Sequence, residues 1–313
     1  MSLLRMKRRG ERISAATCYD YPSAMHVDAA GIDVALVGDS LGMVALGYAT
    51  TQPVTLEEML HHCRAAKRGL ITDTPPLLLC DLPFGSYEAS PGLALESAQR
   101  CVKEGGADAV KVEGGLRMAR HVETIVRDGG VAVCGHVGLT PQAISTLGGF
   151  RAQGRTAVKA RQVLDDALAL QEAGAFAVVA ECVPAVVGKA LSDELEIPVI
   201  GIGAGGHTDG QVLVYHDLLG SFDHPHHKRF VPKFCKVFAD VGAASTRGLE
   251  AFDAEVKNGT FPDAAFSPYH MPDDEADAFL HMLQADKDNR HDERQKTHQK
   301  LLDSDEYDTL KLY

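Results

Sequence analysis

The sequence has no long apolar run, no paired cysteines and no excess of basic residues, and each shortage removes a class of protein. No stretch approaches the ~20 consecutive apolar residues of a membrane-spanning helix, so no membrane partner is expected. The seven cysteines show no CxxC or other paired spacing, and Cys80, Cys134 and Cys182 lie inside apolar runs. Cysteine is used that way as a small buried hydrophobe in a reducing compartment, not as a disulfide frame. The formal charge is −12, from 31 Lys and Arg against 43 Asp and Glu, which argues against a nucleic-acid surface. Half of it is local, because beyond Met271 there are 12 acidic and 6 basic residues. The basic residues of MSLLRMKRRGERISAATCYD are not followed by an apolar segment. Neither a secretory signal nor a transit peptide is expected, and the composition fits a cytoplasmic protein, or a mitochondrial one in a eukaryote.

What is present is an apolar run that stops on a carboxylate. VALVGDS, from Val34 to Ser40, looks like a buried parallel strand with Asp39 just past its carboxyl end. A single Asp there reads equally as a helix cap or turn residue. The pattern recurs, with PLLLCDLP ending on Asp81, AVKVEGG carrying Lys111 and Glu113, and VVAECVP carrying Glu181. Strand-like segments are expected at Ile13 to Thr17, Val34 to Val37, Pro76 to Asp81, Ala109 to Glu113, Val131 to Gly135, Ala177 to Glu181, Val199 to Ile202 and Val212 to Tyr215. Between them, LEEMLHHCRAAKRG, GLALESAQRCVKEGG, LRMARHVETIVRDGG and ARQVLDDALALQEAGA show helical apolar spacing, several closing on glycine. Eight alternations predict a (β/α)8 TIM barrel over 1–271, whose ligands sit at the carboxyl ends of the strands. An open doubly wound sheet is the weaker alternative, since it gathers its site at one switch point.

Several features are expected to be bland. His224, His226 and His227 read as a solvated loop, because no carboxylate or cysteine completes a metal frame around them. His61 and His62 are expected to face outward. A helix is expected from Phe234 to Asn258, and 272–313 is expected as a charged extension, partly helical or disordered. The run GIGAGG, from Gly201 to Gly206, reads as a tight turn rather than a phosphate grip.

On a strand, Lys111 and Glu113 share one face and Val110 and Val112 the other, so the charges are expected at the barrel mouth and the valines against helices. Asp39, Asp81 and Glu181 end strands at the same mouth. Four carboxylates and one ammonium in a partly buried site repel, and a divalent cation relieves that imbalance. Oxygen donors favour Mg²⁺, or Mn²⁺, over Zn²⁺. With Asp39 and Asp81 as ligands, Lys111 leaves room for one anion, which a small chelating keto acid satisfies. His136 reads either as a site residue or as a structural histidine, and Tyr19 either as a pocket residue or as part of the wall.

The segments VGDSLGM, TQPVTLEEMLHH, LLLCDLPFGSY, AVKVEGG, VCGHVGLTPQ, AQGR, VVAECVP, PVIGIGAG and TDGQVLVYHDLLG, in this order and spacing, resemble the ketopantoate hydroxymethyltransferase family over about residues 10 to 271. The resemblance implies a Mg²⁺-dependent barrel enzyme of pantothenate synthesis. Such an enzyme adds a one-carbon unit from 5,10-methylenetetrahydrofolate to 3-methyl-2-oxobutanoate, with water supplying the hydroxyl oxygen, giving 2-dehydropantoate and tetrahydrofolate. It places metal-binding acids at Asp39, Asp81 and Glu113, the last directly or through water. Keto-acid contacts fall at Asp39, Ser40, Asp81 and Lys111, and the proton acceptor at Glu181. It also implies a homo-oligomer, a decamer in familiar members. The rival enzyme reading is a Mg²⁺-dependent lyase or mutase of the phosphoenolpyruvate-binding barrel group, against which stands the missing KKCGH-type segment of isocitrate lyases. A non-catalytic scaffold is the rival of another class, and it leaves the buried charges without a purpose.

Overall fold

In the computed structural model, which describes residues 3–149, 151–222, 232–267 and 269–302, the eight apolar runs form eight parallel strands closed into one barrel in chain order. They are β1 Ile13–Thr17, β2 Val34–Val37, β3 Leu77–Asp81, β4 Ala109–Glu113, β5 Ala132–Gly138, β6 Ala177–Glu181, β7 Val199–Ile202 and β8 Gly210–Leu213. Pairing of β8 with β1, with Gly210 opposite Ile13 and Val212 opposite Ala15, closes the ring and excludes the open sheet. Two strands differ from expectation. β5 continues past Gly135 because Gly138 still pairs with Glu181. β8 lies two residues earlier than expected: the Tyr215 N–H donates to Thr17 Oγ1 at 2.8 Å, and the short helix Tyr215–Leu218 begins there.

Helices start where side chains can satisfy their first N–H groups. Thr55 and Glu58 form a reciprocal capping box for Leu56–Gly69, Ser90 caps Pro91–Lys103, and Thr156 caps Ala157–Glu172. The segment LRMARHVETIVRDGG is less regular, passing from a 3-10 turn (Leu116–Met118) through Ala119–Glu123 to a π turn (Thr124–Asp128).

Alternation along the strands separates two apolar layers. Val34, Leu36, Leu79, Ala109, Cys134, Ala177, Val179, Ile200 and Val212 fill the inside of the barrel. Ala35, Leu78, Cys80, Val110, Val112, Val133 and Val178 pack outward against helices. The expected split of β4 is therefore present, valines outward and Lys111 and Glu113 inward. A helix not foreseen from the sequence, Leu3–Arg9, sends Leu3 and Met6 into the inner layer. Lys7 Nζ donates to Ser192 O (2.9 Å), Ile197 O (3.0 Å) and Asp209 Oδ2 (2.9 Å), which fixes that helix at the amino-terminal end of the strands.

Residues 1–245 and 246–313 are two compact units. Helix Val241–Asn258 begins later than expected, because in the preceding segment the N–H groups of Phe238 and Val241 bond to Leu218 O and Leu219 O instead of continuing a helix. Within the second unit Phe261 packs on Phe252 and Phe266 at ring distances of 5.7 and 5.8 Å. Asp273–Leu302 is one helix of 30 residues with no residue buried, so most of the charged extension expected as partly helical or disordered is helical. Asp273, Asp274 and Glu275 in its first turn suit the positive end of the helix dipole. His224, His226 and His227 lie outside the described residues. No helix among the described residues is long and apolar enough to cross a membrane.

Candidate active site

The inward-facing positions above the apolar layer are charged, and the strand register makes them neighbours. Asp81 on β3 is opposite Lys111 on β4, Glu113 is opposite His136 on β5, and Glu181 ends β6 beside Gly138. Asp39 follows β2 by two residues, and its backbone N–H donates to Asp81 Oδ2 at 3.0 Å. Lys111 Nζ lies 2.9 Å from Asp81 Oδ1 and 3.7 Å from Glu113 Oε1. His136 then bridges the cluster, with Nδ1 3.3 Å from Glu113 Oε1 and Nε2 3.3 Å from Glu181 Oε2. The structure thus brings Asp39, Asp81, Lys111, Glu113, His136 and Glu181 together at the carboxyl end of the barrel. All but Glu181 are buried, and the Glu181 side chain keeps 16% of its exposure, the end of the chain of contacts that faces the opening.

Ser40 and Tyr19 flank this cluster. The Tyr19 hydroxyl and Ser40 Oγ are 2.8 Å apart, and His216 stacks on the buried Tyr19 ring with centroids 5.5 Å apart. His62 does not face outward as expected: it is half-buried, with Nδ1 2.5 Å from the Tyr19 carbonyl.

Two residues were not singled out from the sequence. Gln142, in the turn after β5, donates from Nε2 to Asp39 Oδ2 at 2.8 Å and from its backbone N–H to Glu113 Oε2 at 3.1 Å. Tyr87, in the loop after β3, donates its hydroxyl to Gln142 Oε1 at 2.6 Å. Uncharged loop residues carry no signal of periodicity or charge, and the only trace of Gln142 was its place in the motif VCGHVGLTPQ.

Burial and mutual repulsion govern the acidities. Asp39 is pushed well above the usual carboxylate range by burial first, then by the charges of Asp81 and Glu113. Burial also raises Asp81, more than Lys111 lowers it. Glu113 goes the other way, since His136 and Lys111 outweigh its burial. Burial alone would weaken the hold of Lys111 on its proton, but Asp81, Glu113 and Asp39 reverse that and raise it.

Pairing is unequal among the four carboxylates. Asp81, Glu113 and Glu181 each have a cationic or imidazole nitrogen within 4 Å, whereas among the described residues Asp39 has none and is held by the neutral Gln142. A surplus of buried negative charge beside Asp39, with oxygen donors only, is the environment a hard divalent cation fits. Both oxygens of Glu113 are engaged, Oε1 by Lys111 and His136 and Oε2 by Gln142. Among the described residues no three His, Cys, Asp or Glu side chains converge as a metal cage. Both oxygens of Asp81 are engaged too, Oδ1 by Lys111 and Oδ2 by the Asp39 N–H. Asp39 and Asp81 are the residues that could hold such an ion, leaving positions for water and ligand as Mg²⁺ prefers.

The glycine run after β7 is a tight turn. Gly203 (φ +62°) lies under Phe234, where a Cβ would stand 2.7 Å from the ring, and at Gly205 (φ +82°) a Cβ would meet Ala185 Cβ at 2.5 Å. After Glu181 the chain turns sharply, for Cys182 is left-handed at φ 49°.

A family model described as ketopantoate hydroxymethyltransferase matches residues 1–264. Over 277 residues the chain is 54% identical to 3-methyl-2-oxobutanoate hydroxymethyltransferase 1, mitochondrial, of Oryza sativa subsp. japonica, covering 88% of this chain and 75% of that protein. It is 52% identical over 262 residues to the 3-methyl-2-oxobutanoate hydroxymethyltransferase of Moorella thermoacetica, covering 84% and 94%. Among solved structures, a phosphonopyruvate hydrolase superposes with a TM-score of 0.53 at 13% identity, over 93% of this chain and 98% of that one. A 2,3-dimethylmalate lyase does so with a TM-score of 0.50 at 13% identity, over 92% and 96%. At such identities the structural likeness concerns the barrel alone.

Proposed function

Because the chain belongs to the ketopantoate hydroxymethyltransferase family, we propose that it adds the one-carbon unit of 5,10-methylenetetrahydrofolate to 3-methyl-2-oxobutanoate, with water supplying the hydroxyl oxygen, to yield 2-dehydropantoate and tetrahydrofolate in pantothenate synthesis. The observation that supports this reading is the run of contacts from Asp81 through Lys111 and His136 to Glu181, the one carboxylate of the cluster that keeps some exposure.

In this reading Asp39 and Asp81 hold Mg²⁺, with Glu113 reaching it through water. The bound ion would polarise the ketone of the keto acid and so make its C3 proton more acidic. Ser40, oriented by Tyr19, takes the substrate carboxylate through its hydroxyl or N–H. Lys111 supplies the positive charge that an anionic substrate needs in a buried site, and Asp81 and Glu113 keep it protonated. Glu181 receives the C3 proton on its carboxylate, and His136 behind it stabilises and aims that carboxylate. C3 then attacks the methylene carbon of the donor, which enters from the mouth where Glu181 keeps its exposure. The carbon–nitrogen bonds break with their electron pairs going to the folate nitrogens, which take up protons, and water supplies the hydroxyl oxygen.

The test is hydrogen exchange at C3 of 3-methyl-2-oxobutanoate in deuterated water, with Mg²⁺ and without folate. Exchange that stops on chelation and on Glu181→Gln is expected. Turnover restricted to a phosphonate or a four-carbon acid would replace this reading with the lyase or mutase one. We also propose a homo-oligomer, a decamer by family resemblance, which sedimentation checks. Cytoplasmic residence is the accompanying proposal. Fractionation of source cells separates it from the mitochondrial residence in the rice protein's name.

A further inference from the structure

Every polar group of Gln142 is used. Its Nε2 donates to Asp39 Oδ2 (2.8 Å) and Leu82 O (2.9 Å), its Oε1 accepts from Tyr87 (2.6 Å), its N–H donates to Glu113 Oε2 (3.1 Å), and its carbonyl accepts from Gln52 Nε2 (2.9 Å). The orientation of the amide is not arbitrary. Turned over, its oxygen would face Asp39 Oδ2 and the Leu82 carbonyl, two acceptors with no hydrogen between them, so these acceptors set the amide, while the Tyr87 hydroxyl, also 3.2 Å from Glu113 O, satisfies its oxygen. The chemistry of the donor matters as much as its position. A lysine or arginine there would also aim Asp39, but would neutralise it and repel a cation. A primary amide orients the carboxylate and leaves its charge intact. Asp39 is also the carboxylate with no cationic partner within 4 Å among the described residues.

We propose that Gln142 is the positioning residue that turns Asp39 toward the divalent cation while keeping its full negative charge available, with Tyr87 and the Leu82 carbonyl holding its amide in place. This rests on the cation seat assigned above. Outer partners of this kind are worth about 10–100-fold in metal affinity.

The experiment compares Gln142→Met, which keeps the volume and removes the side-chain donors, and Tyr87→Phe, which removes the tether on the amide oxygen, with the unaltered full chain. Calorimetric titration with Mn²⁺ alone and with 3-methyl-2-oxobutanoate, melting temperature, and a crystal structure of Gln142→Met are the readouts. The expected result is Mn²⁺ binding weaker by about 10–100-fold in Gln142→Met, and weakened less in Tyr87→Phe. The KM for keto acid should rise with it, while kcat at saturating cation changes far less, and the Asp39 carboxylate should be rotated in the crystal. Unchanged Mn²⁺ affinity, or a lowered melting temperature with Asp39 unmoved, overturns the proposal. If the unaltered protein binds no cation, the assigned function fails on its own. The crystal structure still decides whether Gln142 aims Asp39.

Discussion

His136 Nε2 lies 3.3 Å from Glu181 Oε2, so the imidazole backs the one carboxylate of the cluster that reaches the opening. Losing a proton acceptor and losing the group behind it should be distinguishable. Glu181→Gln should slow C3 exchange by about 10²–10⁴-fold with keto-acid binding nearly unchanged. His136→Gln should slow it by about tenfold, the worth of one charge-assisted hydrogen bond. Normal exchange in the first variant would remove Glu181 from its role.

Asp81→Asn should disturb more than binding. Lys111 and Asp81 are both buried and 2.9 Å apart, so the variant leaves the ammonium short of its nearest counter-charge. A loss of about 3–5 kcal/mol in stability is expected, together with weaker keto-acid and Mg²⁺ binding. Urea unfolding and calorimetry measure the two separately, and binding loss at full stability would show that Lys111 finds enough compensation elsewhere.

The site should make stability fall with rising pH in the absence of metal. Burial disfavours the charged His136 ring, and Lys111 opposes it too, but Glu113 and the hydrogen bonds to Glu113 and Glu181 prevail and lift it from 6.5 to about 9. The folded chain therefore holds a proton that the unfolded chain releases near 6.5. Its stabilising contribution is complete below that value and is lost as the pH climbs through about 9. Urea midpoints followed from about pH 6 to 9.5 should drop more steeply for the unaltered protein than for His136→Gln. Parallel curves would refute the linkage.

Cys182 tests how the backbone aims Glu181. A left-handed conformation costs a residue with a Cβ about 1–2 kcal/mol, and a β-branched one more. Cys182→Gly should stay within about 1 kcal/mol of the unaltered stability, and Cys182→Val should lose about 2 kcal/mol or more and slow exchange. Equal behaviour of the two would mean that the φ of 49° does not constrain the rim.

Lys7→Met separates scaffold from chemistry. Asp209 would lose its ion pair while still accepting from Val199 N and Ser192 Oγ, so a loss of about 2–3 kcal/mol is expected with exchange rates unaltered. Impaired exchange at full occupancy of the fold would tie the far end of the barrel to catalysis.

Much of this architecture was legible in the residues because the physics of a closed parallel sheet is repetitive. Apolar runs must fill a strand buried on both faces, and a charge at the end of such a run has only the mouth to occupy, which is why Asp81, Lys111, Glu113 and Glu181 stood out. What stayed hidden depends on contacts between distant segments. β8 starts at Gly210 because Tyr215 is claimed by Thr17, nearly two hundred residues away. The segment before Val241 fails to be helical because Leu218 and Leu219 take its N–H groups. Gln142 and Tyr87 matter only through partners on other loops, and nothing in their own neighbourhoods announces them. His62, on the face of a helix, looks solvated until the Tyr19 carbonyl is placed beside it.

The helix Leu3–Arg9 turns the barrel into a cul-de-sac. With Leu3 and Met6 lodged among the inner strand residues, the amino-terminal end is stoppered by apolar side chains, and the charged cluster stands above a closed floor.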